Sequence, residues 1–145
     1  MLKIYIDFSF WFCYNANMQF IDLAKSIIKY NCEILRVPVP SVRIVAPTKF
    51  ATPTTRASVS NNGREMLINS NYADCSDISS AWLMLSHECR HIYQAFNLKL
   101  FNDYQQSSAK TLQGYNAQPA EVDAWAWAVI IMSDLFGVRP TLEKK

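Results

Sequence analysis

At 145 residues, half of them hydrophobic and 18% charged, the chain has the size of one domain and is too apolar for a disordered segment. Its net charge of +2 is dispersed: residues 1–72 carry eight basic and four acidic side chains, residues 73–145 six and eight, with none of the clustered basic surface that marks nucleic-acid binders. No repeat, low-complexity tract or linker divides the chain, so residues 1–145 read as a single domain able to bury roughly 70% of the surface its unfolded form would expose.

The N-terminal stretch MLKIYIDFSFWFCYNANMQ places Lys3 before an apolar run, as a signal peptide would. Asp7 interrupts the run, which is too short to span a bilayer and lacks a small-x-small cleavage site, so a cytoplasmic protein with no membrane partner is expected. Residues 4–16 fit either a strand or a backward extension of the helix that follows. From 18 to 37, Phe20, Leu23, Ile27, Ile28, Cys32 and Leu35 recur at helical spacing, with Lys25, Lys29 and Glu33 on another face, and Pro38 and Pro40 stop the pattern.

Residues 41–47, SVRIVAP, read as a strand. TRASVS and EMLINSNY then flank NNG, a hairpin signal because Asn and Gly tolerate positive φ, which implies a short antiparallel sheet in mid-chain. Asp77, with Ser76 as competitor, is placed to cap a helix from about Ile78 to Asn97. Residues 98–118 are a polar connection rich in Gln, Ser and Asn. Pro119 suits the first position of a last helix that runs to about Phe136 and is closed by Gly137 and Pro140. The expected class is therefore α+β: an N-terminal helix, a small mixed or antiparallel sheet with a hairpin, a central helix, a long loop and a C-terminal helix.

The central helix carries the chemistry. The segment LSHECRHIYQ holds both histidines of the chain, His87 and His91, four apart. Positions four apart share a helix face at about 6 Å between Cβ atoms, so the two rings can converge on one ion. Two neutral imidazoles and a third ligand give zinc a tetrahedral site with one position open for water, whose pKa the metal lowers to roughly 7. Glu88, about 100° round the helix from His87, can reach that water as general base and return the proton to a departing amine. In shuffled sequences of this composition, H-E-x-x-H arises about once in 2,000, which makes the motif moderately specific. Trp82, Leu85, Cys89, Ile92 and Phe96 are expected to fill the buried face, with Leu83, Met84 and Ala95 beside the histidines. The bland alternative, in which one imidazole caps a carbonyl, the other is surface and Glu88 pairs with Arg90 or a distant lysine, leaves a charged triplet in a buried helix without a shared reason.

A third ligand has to come from downstream, where Asp103, Glu121, Asp123 and Asp134 are candidates. HECRH followed by EVDAWAWA resembles the H-E-x-x-H plus E-x-x-A arrangement of the gluzincin metallopeptidases. The match spans residues 64–128 at most, and its second segment is most similar to that of the compact ImmA/IrrE-type peptidases, which reads E-x-E-A-N-x-F-A. Glu121, Asp123, Ala124, Trp127 and Ala128 match that pattern, while Trp125 stands where the family has Asn and thermolysin-like enzymes have Asp. The resemblance implies a minimal zincin fold, a zinc ion held by His87, His91 and Glu121, and REMLINSNY as an edge strand that binds substrate backbone by β-addition. It also implies that the carboxylate usually orienting one histidine is replaced, with Asp74, Asp77 or a backbone carbonyl as candidates. On a helix begun at Pro119, Glu121 and Asp123 point roughly 200° apart, so only one can bind the ion, and Asp123 is the substitute.

For the oxyanion donor, Tyr115 leads, ahead of Tyr93, Tyr104 and Arg90. Of Trp125 and Trp127, two apart on the last helix, one should be core and the other should line a pocket or an interface. Cys13, Cys32, Cys75 and Cys89 form no C-x-x-C pair and read as free thiols of a reducing compartment, Cys89 being core. The expected function is a zinc metalloendopeptidase acting on a protein or peptide, by analogy a repressor, with no nucleic-acid partner. The alternative is a catalytically silent zincin-like protein that binds a partner protein.

Overall fold

The computed structural model describes residues 19–98 and 112–137. Expectations for residues 4–16, the N-terminal apolar run, Cys13, Asp103, Tyr104 and Pro140 lie outside the described residues.

Helix α1 (Phe20–Leu35) forms where the apolar spacing predicts it, two residues shorter at each end, and buries Phe20, Leu23, Ile27, Ile28, Cys32 and Leu35. It ends at Arg36, which takes a left-handed conformation (φ 56°), and the Val37 amide folds back to the Cys32 carbonyl at 3.1 Å before the prolines.

Three strands follow: β1 (Ser41–Val45), β2 (Ala57–Val59) and β3 (Glu65–Asn69). The hairpin is as expected, with β2 antiparallel to β3 and the NNG turn between them. Gly63 in that turn has φ 71°, and an added Cβ would lie 2.9 Å from the Phe96 ring, so both the backbone and the space exclude a side chain.

Of the two forms expected for the sheet, it takes the mixed one, because β1 runs parallel to β3 in the order β1-β3-β2. One expectation about it is corrected. For the same reason β3 is the central strand and not an edge; its main-chain groups are engaged on both sides by β1 and β2 and are not open to β-addition. The burial of Met66, Ile68 and Asn69 shows why the apolar strand is central, while β1 carries mostly exposed positions and lies at one edge.

Helix α2 (Ile78–Asn97) starts at Asp77, whose Oδ1 accepts the Ser80 amide at 3.1 Å. Trp82, Leu85, Cys89 and Ile92 are fully buried against α1 and the sheet. Phe96 departs from that expectation and is 38% exposed, since the last turn of α2 runs past the core and its ring lies over Gly63 with Arg64 above it. A short helix α3 (Leu112–Asn116) occupies part of the stretch read as loop. Helix α4 (Pro119–Phe136) has Pro119 at its first position and a left-handed Gly137 (φ 65°) closing it, as expected. It packs along α2, and Trp127 donates from Nε1 to Asn31 Oδ1 of α1 at 2.9 Å. Asn31 in turn donates to Ser86 Oγ at 3.2 Å, so one buried amide ties all three long helices together directly below the histidines. Cys32, Cys75 and Cys89 are free thiols, as expected.

Candidate metal centre

Four-residue spacing on α2 sets His87 and His91 one turn apart, 6% and 4% exposed, with ring centroids 4.8 Å apart and nearly perpendicular. Their Nε2 atoms approach to 3.2 Å. With Glu88 they form a group that could hold a metal ion, their ligand atoms all lying within 4.8 Å of one another.

The first turn of α4 completes the arrangement. Glu121, 1% exposed, brings Oε2 to 2.9 Å from His87 Nε2 and Oε1 to 3.3 Å from His91 Nε2. Of the downstream acids considered, Glu121 is the one these contacts place on both imidazoles. Asp123 turns away as helical phase requires; its carboxylate accepts Arg90 Nε at 2.7 Å and Arg90 Nη2 at 3.1 Å. Asp134 is exposed near the far end of α4. Glu88 Oε1 lies 4.0 Å from His87 Nε2, outside the triangle formed by the other three groups.

Burial and mutual charge set the protonation of the metal-free cluster. For Glu121, burial opposes ionisation, but hydrogen bonds to His87 and His91 and their charges outweigh it and hold the carboxyl well below the usual range. Burial lowers His87, and Glu121 only partly offsets this. His91 feels the same burial, but the Glu121 hydrogen bond, the charges of Glu88 and Glu121, and a hydrogen bond to Gln94 raise it to about 9. Glu88 is pushed up to about 8, chiefly by burial. The cluster therefore holds a proton donor and acceptors side by side near neutral pH.

The outer contacts differ from those expected. His91 Nδ1 lies 2.7 Å from Gln94 Oε1 on the next turn of α2. Gln94 Nε2 donates to the Ala120 carbonyl at 2.8 Å and to Asp123 Oδ2 at 2.9 Å. Asp74 and Asp77, considered for this task, instead accept the Ser76 and Ser80 amides. His87 Nδ1 is buried with no hydrogen-bond partner among the described residues, and the Trp125 ring lies against His87 at 4.0 Å between centroids. Trp125 thus lines the cluster, whereas Trp127 packs toward the core, its ring beneath Arg90. Arg90 also stacks on Tyr93 at 4.3 Å. Tyr115 is half-buried on α3, its carbonyl accepting the Gln118 amide that leads into α4.

Sequence reasoning missed Gln94, although its i+3 position from His91 on the same helix face was a usable signal. It also missed the Arg90–Asp123 pair, which no local pattern announces. On the same face of α2, one to three turns before the histidines, Asp77, Ser80 and Met84 border a cavity of about 300 Å³ that Arg56, Tyr72 and Asp74 also line. Among the described residues, no helix is long and apolar enough to cross a membrane. No protein-family model, curated protein or solved structure matches the chain.

Proposed function

We propose that this protein is a zinc-dependent metallopeptidase that hydrolyses a peptide bond in a protein or peptide substrate, with His87, His91 and Glu121 as ligands and Glu88 as general base. One observation carries the reading. Two ligand atoms about 2.0 to 2.1 Å from a tetrahedral ion lie roughly 3.3 Å apart. His87 Nε2 and His91 Nε2 lie 3.2 Å apart, and Glu121 meets the first through Oε2 at 2.9 Å and the second through Oε1 at 3.3 Å, so three groups from two helices stand at separations of the size such an ion requires. The donor set of two imidazoles and a carboxylate suits zinc in a catalytic site.

A zinc ion held there would supply a Lewis acid that polarises a peptide carbonyl and acidifies water at the open position. Glu88, whose Oε1 lies 4.0 Å from His87 Nε2, stands outside the contacts among the other three groups and would serve as the base toward water that such an ion holds. A cation held beside it would draw its carboxyl down from the value near 8 that burial chiefly imposes, leaving it free to take a proton and pass it to the leaving amine. Tyr115, on the short helix before α4, is the proposed oxyanion donor. The cavity beside Met84 lies in line with the cluster along α2, which gives a bound polypeptide room on one side of the scissile bond. A cytoplasmic protein such as a repressor is the proposed target, by analogy with the peptidases the motif resembles.

The second reading, a silent scaffold that binds a partner protein, draws on Trp125: an indole packs on His87 where a polar group would hold Nδ1. Glu88→Gln separates the two. Cleavage of a broad peptide library by zinc-loaded protein, lost in Glu88→Gln while zinc stays bound, supports the peptidase. No cleavage of any peptide by the zinc-loaded protein favours the silent scaffold.

A further inference from the structure

We infer that Gln94 is a positioning residue that sets two of the three proposed ligands at once, orienting His91 through one end of its amide and the Glu121 turn through the other. The inference rests on the reading of His87, His91 and Glu121 as a metal site, and it concerns how that site is held.

Gln94 is fully buried, and every polar capacity it shows is used on the site. Its Oε1 faces His91 Nδ1 at 2.7 Å, close to the short limit for such a bond. An amide oxygen only accepts, so the ring must present Nδ1–H to it, which makes Nε2, the nitrogen facing Glu121, the atom that a neutral His91 would offer to a metal. The other end of the amide donates to the carbonyl of Ala120, the residue immediately before Glu121, at 2.8 Å. That bond joins α2 to the first turn of α4, the turn that carries the third carboxylate. The amide is kept from flipping by Asp123, whose Oδ2 also accepts from Nε2 at 2.9 Å and whose carboxylate is held by Arg90, Nε donating to Oδ2 and Nη2 to Oδ1. A flipped amide would place two carbonyl-type oxygens against each other and its NH₂ against a ring N–H.

The two histidines are therefore inequivalent. His91 is held by a chain of four polar groups from two helices, whereas among the described residues His87 Nδ1 has no hydrogen-bond partner and the Trp125 ring packs against the imidazole. Metal sites commonly enlist a carboxylate or a main-chain carbonyl from elsewhere in the fold for this task. Here a side chain one turn along the same helix performs it, and its hydrogen-bond partners make it a clamp between helices as well.

Gln94→Met keeps the volume and removes both ends of the amide. Zinc affinity of the full chain, measured by competition with a chromophoric chelator, is expected to fall ten- to hundredfold. In the zinc-loaded unaltered protein, a slowly exchanging His91 Nδ1 proton should appear at low field in long-range ¹H–¹⁵N spectra and be absent from the variant. Met132→Ala, a core truncation on α4, should lower thermal stability without moving zinc affinity, which separates positioning from general destabilisation. Unchanged affinity in Gln94→Met would overturn the role assigned to Gln94 and leave the metal site standing. No zinc binding by the unaltered protein would overturn the metal site and this inference with it.

Discussion

Raising the pH of the metal-free protein from 6.5 to 8 should destabilise it. His91 is held at about 9 in the folded chain against an unfolded value near 6.5, so the stability it contributes is complete below pH 6.5 and is lost as pH rises toward 9. Glu88 stands at about 8 against roughly 4.3 unfolded; the folded state binds its proton and the unfolded state does not, so stability falls with pH between those values. Across the 1.5 units from 6.5 to 8, each proton retained only by the folded state costs about 1.4 kcal/mol per unit, for a ceiling of roughly 4 kcal/mol. Part of the His91 shift comes from the charge of Glu88, so the two contributions overlap, and a loss of about 2 to 4 kcal/mol is expected. Glu121 acts in the opposite sense but below this window, since its folded value is depressed and its contribution is complete by pH 6.5, whereas His87, also depressed, offsets a small part of the loss just above pH 6.5 as its unfolded form finishes losing its proton. Urea unfolding in excess chelator, followed by tryptophan fluorescence at several pH values, measures the slope. Glu88→Gln should roughly halve it, and saturating zinc should reverse it, because the ion competes with protons for the same imidazoles. A metal-free stability that is level or rising between pH 6.5 and 8 would refute the assignment of buried, proton-holding groups to this cluster.

Three further outcomes follow from particular residues. Leu85→Ala empties a fully buried site on α2 and should cost about 3 to 5 kcal/mol in equilibrium unfolding, whether or not zinc is present. Asp77→Ala removes the cap on the Ser80 amide and should cost about 1 kcal/mol, whereas Asp77→Asn, which caps equally well, should be close to neutral in the same experiment. Trp125→Asn puts a polar group against the His87 ring, whose Nδ1 has no partner among the described residues, and should tighten zinc binding by up to about tenfold in chelator competition; an unchanged or weaker affinity would show that His87 gains nothing from such a group.

Local chemistry made much of this protein legible in its sequence. Asp77, Pro119 and Gly137 mark helix ends because a cap, a fixed φ and a left-handed residue act within one turn of chain, and the start of α2 and both bounds of α4 follow directly from them. His87 and His91 had to share a face because helical periodicity alone puts them there, and the same periodicity sent Glu121 and Asp123 in different directions. What joined distant segments was not legible. The sequence could not place β1 beside β3, because strand order depends on which apolar faces meet and not on any residue within the strand. Nor could it reveal that Phe96 leaves the core to lie over Gly63, or that Arg90 reaches Asp123 and Gln94 reaches Ala120. Those contacts exist only once α4 is laid along α2, when side chains with ordinary surface chemistry find partners 26 to 33 positions away and burial makes each hydrogen bond costly to lose.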